Sequence, residues 1–215
     1  MTDPVKPRRI YRSSQRADQA AATRAAIARA ARQLFIGKGW QATTIAGIAR
    51  AAKVSPETVY AVFGSKAALF SEIVQLAVRR DQPGTPLLEQ AGPQAVTGAP
   101  DQAHILRLFA HDIAHVLADV APLMAVARGA ADTEPVIGQI YRQLHEGRRR
   151  NLAAVASALR RAGPLRGGMG AEAATAIIWR LASPELFQLM IAVEGVELEA
   201  YADWLEHGLR AQLLP

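Results

Sequence analysis

Apolar residues along most of this chain recur at helical spacing rather than alternating. From Thr23, Ile27, Ala30, Ala31, Leu34 and Phe35 return every three or four positions, and Gly37 and Gly39 supply a stop signal, which predicts a first helix. Thr44 is placed to cap a short helix carrying Ile45, Ile48 and Ala49 that stops near Ala52. After a tight turn at Ala52–Val54, Ser55 and Pro56 open another short helix, Pro56 to Val62, with a capping hydroxyl and a first-turn proline. Phe63-Gly64 ends it, and Ser65 caps a fourth helix from Lys66 to about Arg80.

Residues 81–101 hold four prolines and three glycines and read as a long connection. Helical patterns resume at Gln102–Val120, with Ile105, Leu108, Phe109, Ile113, Val116 and Leu117 on one stripe, and continue from Pro122 to about Ala131 and from Glu134 to Ala162. Gly163-Pro164 and Gly167-Gly168 break the chain before Ala171–Ala182, Ser183-Pro184 through Val193, and Glu197–Leu214. No segment alternates with period two for long enough to make a strand. The predicted class is all-α: a three-helix head with two short helices flanking a turn, fused to a helical body. The expected division is a flexible basic arm at 1–19, the head at 20–66 and the body at 67–215.

Composition narrows the chemistry. Half the residues are hydrophobic and 20% charged, a folding composition. With no cysteine there is no disulfide, thiolate metal site or cysteine nucleophile, which fits a reducing cytoplasm. The polar, basic N-terminus lacks the apolar core of a secretory signal, and no later apolar run reads as a bilayer span, so no membrane partner and a cytoplasmic location are expected. Charge is unevenly placed. Residues 1–66 carry twelve Lys and Arg against three Asp and Glu, a net +9, while the remainder carries thirteen against sixteen, a net −3. Such a head suits a polyanion, although a solvated basic face would look the same by composition.

A helix-turn-helix needs small or apolar residues where its two short helices touch, and Ile48, Ala49, Val54 and Val59 fit those places. The segment LFIGKGWQATTIAGIARAAKVSPETVYAVFGSKAALF, Leu34 to Phe70, resembles the TetR family of regulators in residue order and spacing. The resemblance implies a sequence-specific transcriptional regulator, usually a repressor, that binds a palindromic double-stranded DNA operator as a homodimer and leaves it when a small-molecule inducer binds. No enzymatic activity, catalytic residue, cofactor or metal is implied.

Ser55, Glu57 and Thr58 start the second short helix, where side chains reach base edges. Thr44, Tyr60 and Lys66 are placed to hold phosphates, positions that often do so in TetR-like proteins. Each also has a plain structural reading: Ser55 and Thr44 as caps, Tyr60 as packing, Lys66 as a solvated charge. Lys53 stands where the family usually has glycine in a left-handed turn; there it would cost about 1 kcal/mol and could add a phosphate contact. Glu57 would repel phosphates unless it accepts from a cytosine amino group, and alternatively caps its own helix.

In the body, WRLASPELFQLM and the Tyr201–Trp204–Leu205 stretch also resemble TetR-type cores, less specifically. Ala171–Val193 with Tyr201, Trp204, Leu205, Leu209 and Leu213 would suit a dimer contact, or an ordinary core. Inducer-lining candidates are Phe109, Met124, Tyr141, His145, Arg148 and Trp179. Arg148 interrupts the apolar stripe Ile137, Tyr141, Leu144, Leu152, Val155, Leu159, where it could meet an anionic ligand or pair with a neighbouring carboxylate. His111-Asp112-Ile113-Ala114-His115 has the H-x-x-x-H spacing of a zinc site, with Asp119 a turn later, but it lacks the glutamate base and a third-ligand motif.

Overall fold

A computed structural model describes residues 8–80, 82 and 84–215, and of residues 8–15 the backbone alone. The described residues form ten α-helices and no strand, in keeping with the helical periodicity. They divide into two compact units, 1–73 and 74–215, with the boundary inside one helix.

In the first unit, α1 (Arg8–Ala42) reaches back well before the start expected at Thr23; Met1–Pro7 of the basic arm lie outside the described residues. Its backbone leaves helical geometry at Gly39 (φ 75°, ψ 179°), close to the predicted stop. Thr43, almost fully buried, seals this kink by donating its hydroxyl to the Gly39 carbonyl at 2.7 Å. The short helices α2 (Ile45–Ala52) and α3 (Pro56–Phe63) follow, then α4 (Lys66–Val78). Ile27, Ala31, Phe35, Ile48, Val59, Leu69 and Phe70 are buried between them. Phe35 stacks on Trp40 with ring centroids 5.5 Å apart and meets Phe70 edge-on at 5.0 Å, an aromatic centre for a small unit.

In the second unit, the expected irregular connection contains a 3₁₀ turn (Leu87–Glu89) and a short helix, α5 (Ala91–Thr97). The Gln90 amide, mostly buried, stitches the segment together by donating to the carbonyls of Arg79 and Thr85. The break expected at Pro122 is absent, and α6 runs unbroken from Gln102 to Ala130. Proline removes one backbone bond there, while Val120, Ala121, Leu123 and Met124 are all buried beside it, so packing outweighs the local loss. Then come α7 (Pro135–Ala162), α8 (Ala171–Leu181), α9 (Pro184–Gln188) with a π-helical turn at Leu189–Val193, and α10 (Leu198–Leu213).

Helix α6 is the hub, touching α5, α7, α9 and α10. Its Ile105, Leu106, Phe109 and Leu117 join Leu152 and Leu159 of α7, Ile178 of α8, and Tyr201, Leu205, Leu209 and Leu213 of α10 in one core. Each such side chain contributes about 1.5–3 kcal/mol relative to exposure. The last four were expected at a dimer contact or in an ordinary core; they are fully buried within one chain, because α10 turns this stripe inward and leaves Trp204 partly exposed.

A second correction concerns membrane spans. Gln102–Ala130 and Ala171–Val193 are each long and apolar enough, by length and composition, to cross a bilayer. In α6 the apolarity follows from its central place, since a helix packed on several sides is apolar nearly all round. The 171–193 segment differs: only 22% of its most apolar window is buried.

Candidate nucleic-acid interface and ligand cluster

The turn between α2 and α3 is built by local chemistry. Thr44 adopts extended backbone geometry and its Oγ1 accepts from the Gly47 amide at 3.0 Å, starting α2. Lys53 ends α2 in the left-handed region (φ 57°, ψ 41°), the conformation expected at the place usually held by glycine. Its amide donates to the Arg50 carbonyl at 3.2 Å, and the Val54 amide to the Ala49 carbonyl at 3.0 Å. Ser55 then caps α3 by accepting from the Thr58 amide at 3.2 Å, with Pro56 in the first turn.

Ile48, Ala49 and Val59 are buried at the contact of the two short helices. The opposite surface presents Thr44, Lys53, Ser55, Glu57 and Tyr60 as exposed residues and Thr58 as half-buried. Tyr60 is 53% exposed, far more than packing alone would require. The Glu57 carboxyl is held below its ordinary value by its own backbone amide and by the Ser55 hydroxyl, so its negative charge serves the start of its own helix. The hydroxyls of Ser55 and Thr58 lie 3.2 Å apart, leaving Thr58 within a small hydrogen-bonded group at the exposed helix end.

Lys66 is more committed than its sequence position suggests. Its Nζ donates to the Trp40 carbonyl at 2.7 Å and lies 4.1 Å from the Trp40 ring centroid, so it ties the start of α4 to the end of α1. Arg24, which the sequence did not single out, pairs with Glu72 through both ends of its guanidinium, donates to the Val62 carbonyl at 3.1 Å and covers the Phe63 ring.

The second cluster lies in the other unit. Tyr141, His145 and Arg148 occupy one face of α7, and the structure brings Trp179 of α8 to them. Tyr141 and His145 rings meet edge-on at 4.6 Å, and His145 meets Trp179 at 5.6 Å. Arg148 sits 5.2 Å from the Trp179 ring centroid and donates through Nη2 to the carbonyls of Trp179 and Ala182, closing the end of α8. The carboxylate partner anticipated for Arg148 is taken by others. Glu185 of α9 accepts from the Tyr141 hydroxyl at 2.8 Å and lies 3.4 Å from His145 Nε2. The nearby His145 imidazole, together with the Tyr141 hydrogen bond, outweighs partial burial and holds the Glu185 carboxyl down to about 2. Burial and the same Glu185 contact push the Tyr141 phenol up to about 12, and burial lowers Arg148 to about 10, still cationic at neutral pH.

Phe109 and Met124 are buried on α6, Phe109 within the main core. No ring contact or hydrogen bond ties either of them to the α7–α8 group. Glu185 and Tyr201 are members the sequence reasoning missed: Glu185 resembles an ordinary first-turn acid after Ser183-Pro184, and Tyr201 reads as one more apolar position of α10. The histidine motif of α6 points to separate partners, with His111 Nδ1 3.1 Å from Glu199 and Asp112 3.7 Å from Arg80. Among the described residues no three His, Cys, Asp or Glu side chains converge as a metal site.

A helix-turn-helix head followed by an all-helical unit defines the class of helical DNA-binding regulators. Residues 19–73 match the family model described as bacterial regulatory proteins, tetR family. A TetR transcriptional regulator from Agrobacterium tumefaciens is 28% identical, with 88% of this chain and 93% of that one covered at a TM-score of 0.61. PfmR, a TetR-family transcriptional regulator from Thermus thermophilus, is 22% identical over 86% of this chain and 97% of its own, with a TM-score of 0.64. NalD, the secondary repressor of the MexAB-OprM multidrug efflux pump in Pseudomonas aeruginosa, is 23% identical over 91% and 98%, with a TM-score of 0.61. No curated protein matches the sequence. The head is thus similar to that family over residues 19–73, and the fold of the whole chain to solved TetR-family regulators.

Proposed function

We propose that this protein is a transcriptional repressor that binds a palindromic operator as a homodimer and is released by a small-molecule ligand. The observation that carries the reading is the exposed, capped start of α3, with Thr58 at its mouth and Tyr60 uncovered beside it, in a tetR-type head of net charge +9 over residues 1–66. Ser55, Glu57 and Thr58 are assigned to base edges; Thr44, Lys53, Tyr60 and Lys66 to phosphates, which set register without reading sequence. Such a regulator works in the cytoplasm, with no membrane partner and no catalysis.

Dimerisation has its own support. The poorly buried apolar segment 171–193 carries Leu189 at 45% and Val193 at 75% exposure, and α10 adds Trp204 at 38%. Water contact at such a face costs free energy that a second copy would remove. Two heads spaced by about one DNA turn, roughly 34 Å, then read two half-sites. Ligand in the second unit acts by binding the DNA-free state more tightly than the DNA-bound one.

Selection from random duplexes is the test. The expected result is one enriched palindrome that survives non-specific competitor DNA, with Thr58→Ala altering the preferred sequence and Tyr60→Phe weakening all sites alike. Failure to enrich any sequence, or binding that disappears uniformly with salt, overturns the proposal.

A further inference from the structure

The group between α7, α8 and α10 holds more hydrogen-bond donors than the protein uses. Arg148 spends Nη2 on the carbonyls that end α8, but its Nε and Nη1 are buried without a protein partner. The Trp179 Nε1 and the Tyr201 hydroxyl are buried and unpartnered as well. Apart from the His145 imidazole, whose two ring nitrogens are also without a hydrogen-bond partner, these are groups of one kind: guanidinium and indole nitrogens only donate, and a phenol donates readily. The nearest carboxylate cannot serve them all, because Glu185 already accepts from Tyr141 and faces His145. Arg148 makes no ion pair among the described residues, although its charge acts on both Tyr201 and Glu185.

Leaving several donors buried and unpaired is costly, and closing the end of α8 would not require a guanidinium with two idle nitrogens. The neighbouring groups are aromatic: Tyr141, His145 and Trp179 meet edge-on in series, and Phe187 packs 4.8 Å from Tyr201. An acceptor-only group attached to a small apolar or aromatic skeleton complements both features.

We propose that Arg148, Trp179 and Tyr201 form a receptor for the carboxylate of a small organic acid, which is the chemical class of ligand this regulator responds to. The inference deepens the ligand-released reading and rests on it for its biological meaning. Arg148 supplies charge and donors, Trp179 and Tyr201 add one donor each, and the Glu185–Tyr141–His145 group fixes the wall that orients Trp179.

The experiment titrates the full-length protein with acetate, butyrate, benzoate and salicylate, each against its primary amide, by calorimetry and tryptophan fluorescence. At least one carboxylate should bind, about ten-fold or more tighter than its amide. Arg148→Gln should weaken that acid about ten- to a hundred-fold, while Tyr201→Phe, which keeps the ring and removes the hydroxyl, and Trp179→Phe, which keeps an aromatic side chain and removes the indole N–H, should each weaken it several-fold. Circular dichroism and thermal melting of the variants separate lost binding from lost folding, and the two phenylalanine variants stand as the test should Arg148→Gln fail to fold. The inference is overturned if no acid of the panel binds, if acids and amides bind equally, or if the folded variants bind the acid like the parent protein. A parallel DNA-binding assay separates the two readings. Release by neutral compounds alone sinks the carboxylate receptor and spares the ligand-released repressor; an acid that binds at Arg148 without loosening DNA does the reverse.

Discussion

Lys53 makes a prediction in which stability and DNA affinity move in opposite directions. It holds φ 57° and ψ 41° at the end of α2, a conformation that costs an L-residue about 1–2 kcal/mol. Lys53→Gly removes that cost and adds about 0.5–1 kcal/mol of unfolded-chain entropy, so a net stabilisation of about 0.5–1 kcal/mol is expected. Lys53→Ala keeps the backbone cost and removes only the charge. Hydrogen exchange should therefore show α2 and α3 amides exchanging about two- to five-fold more slowly in the glycine variant, with little change in the alanine one. If Lys53 touches a phosphate, both variants should bind DNA less tightly, and the slope of log affinity against log salt should fall by about 0.9 in each. Faster exchange in Lys53→Gly would refute the strain argument. An unchanged salt slope in both would remove Lys53 from the DNA surface.

Three further outcomes follow from the geometry. Thr44→Ala and Ser55→Ala should each cost about 0.5–2 kcal/mol through lost caps, seen as faster exchange at the starts of α2 and α3 respectively. Glu185, whose folded value is lowered to about 2 from the ordinary 4.5, contributes stability that is full above about 4.5 and lost as pH falls through about 2. Acid unfolding of Glu185→Gln should accordingly be flatter across that window, and an unchanged profile would show that its hydrogen bonds contribute nothing. Val193→Glu, on the exposed apolar face, should shift sedimentation from dimer to monomer while leaving the helical circular dichroism intact.

Much of the head was legible because its signals are local. Caps such as Thr44 and Ser55 and the first-turn Pro56 act through their immediate neighbours, so residue type and spacing nearly determine the turn; the left-handed Lys53 is the exception, expected there from the family's glycine position and not from its own residue type. The body was less legible where tertiary packing decides. Pro122 reads as a break, yet the burial of residues on both sides carries α6 through it. Tyr201, Leu205, Leu209 and Leu213 share a stripe that would suit an interface or a core, and only the placement of α10 against α6 makes it core. The same applies to the α7–α8 cluster. Helical periodicity puts Tyr141 and Arg148 on one stripe, with His145 a separate lining candidate, but Glu185 and Tyr201 come from other helices and carry no local signal of their own. Lys66 carries a contact that no local signal announces: a charge at a helix start reads as solvated or as a phosphate ligand, and its place on Trp40 comes from packing between helices.

Stoichiometry on the selected operator tests the central claim most directly. Sedimentation of the full-length protein with the enriched duplex, and with the same duplex cut to one half-site, should give two protomers on the palindrome and binding weaker by orders of magnitude on the half-site. One protomer bound equally well to either duplex would contradict a dimeric, sequence-specific regulator.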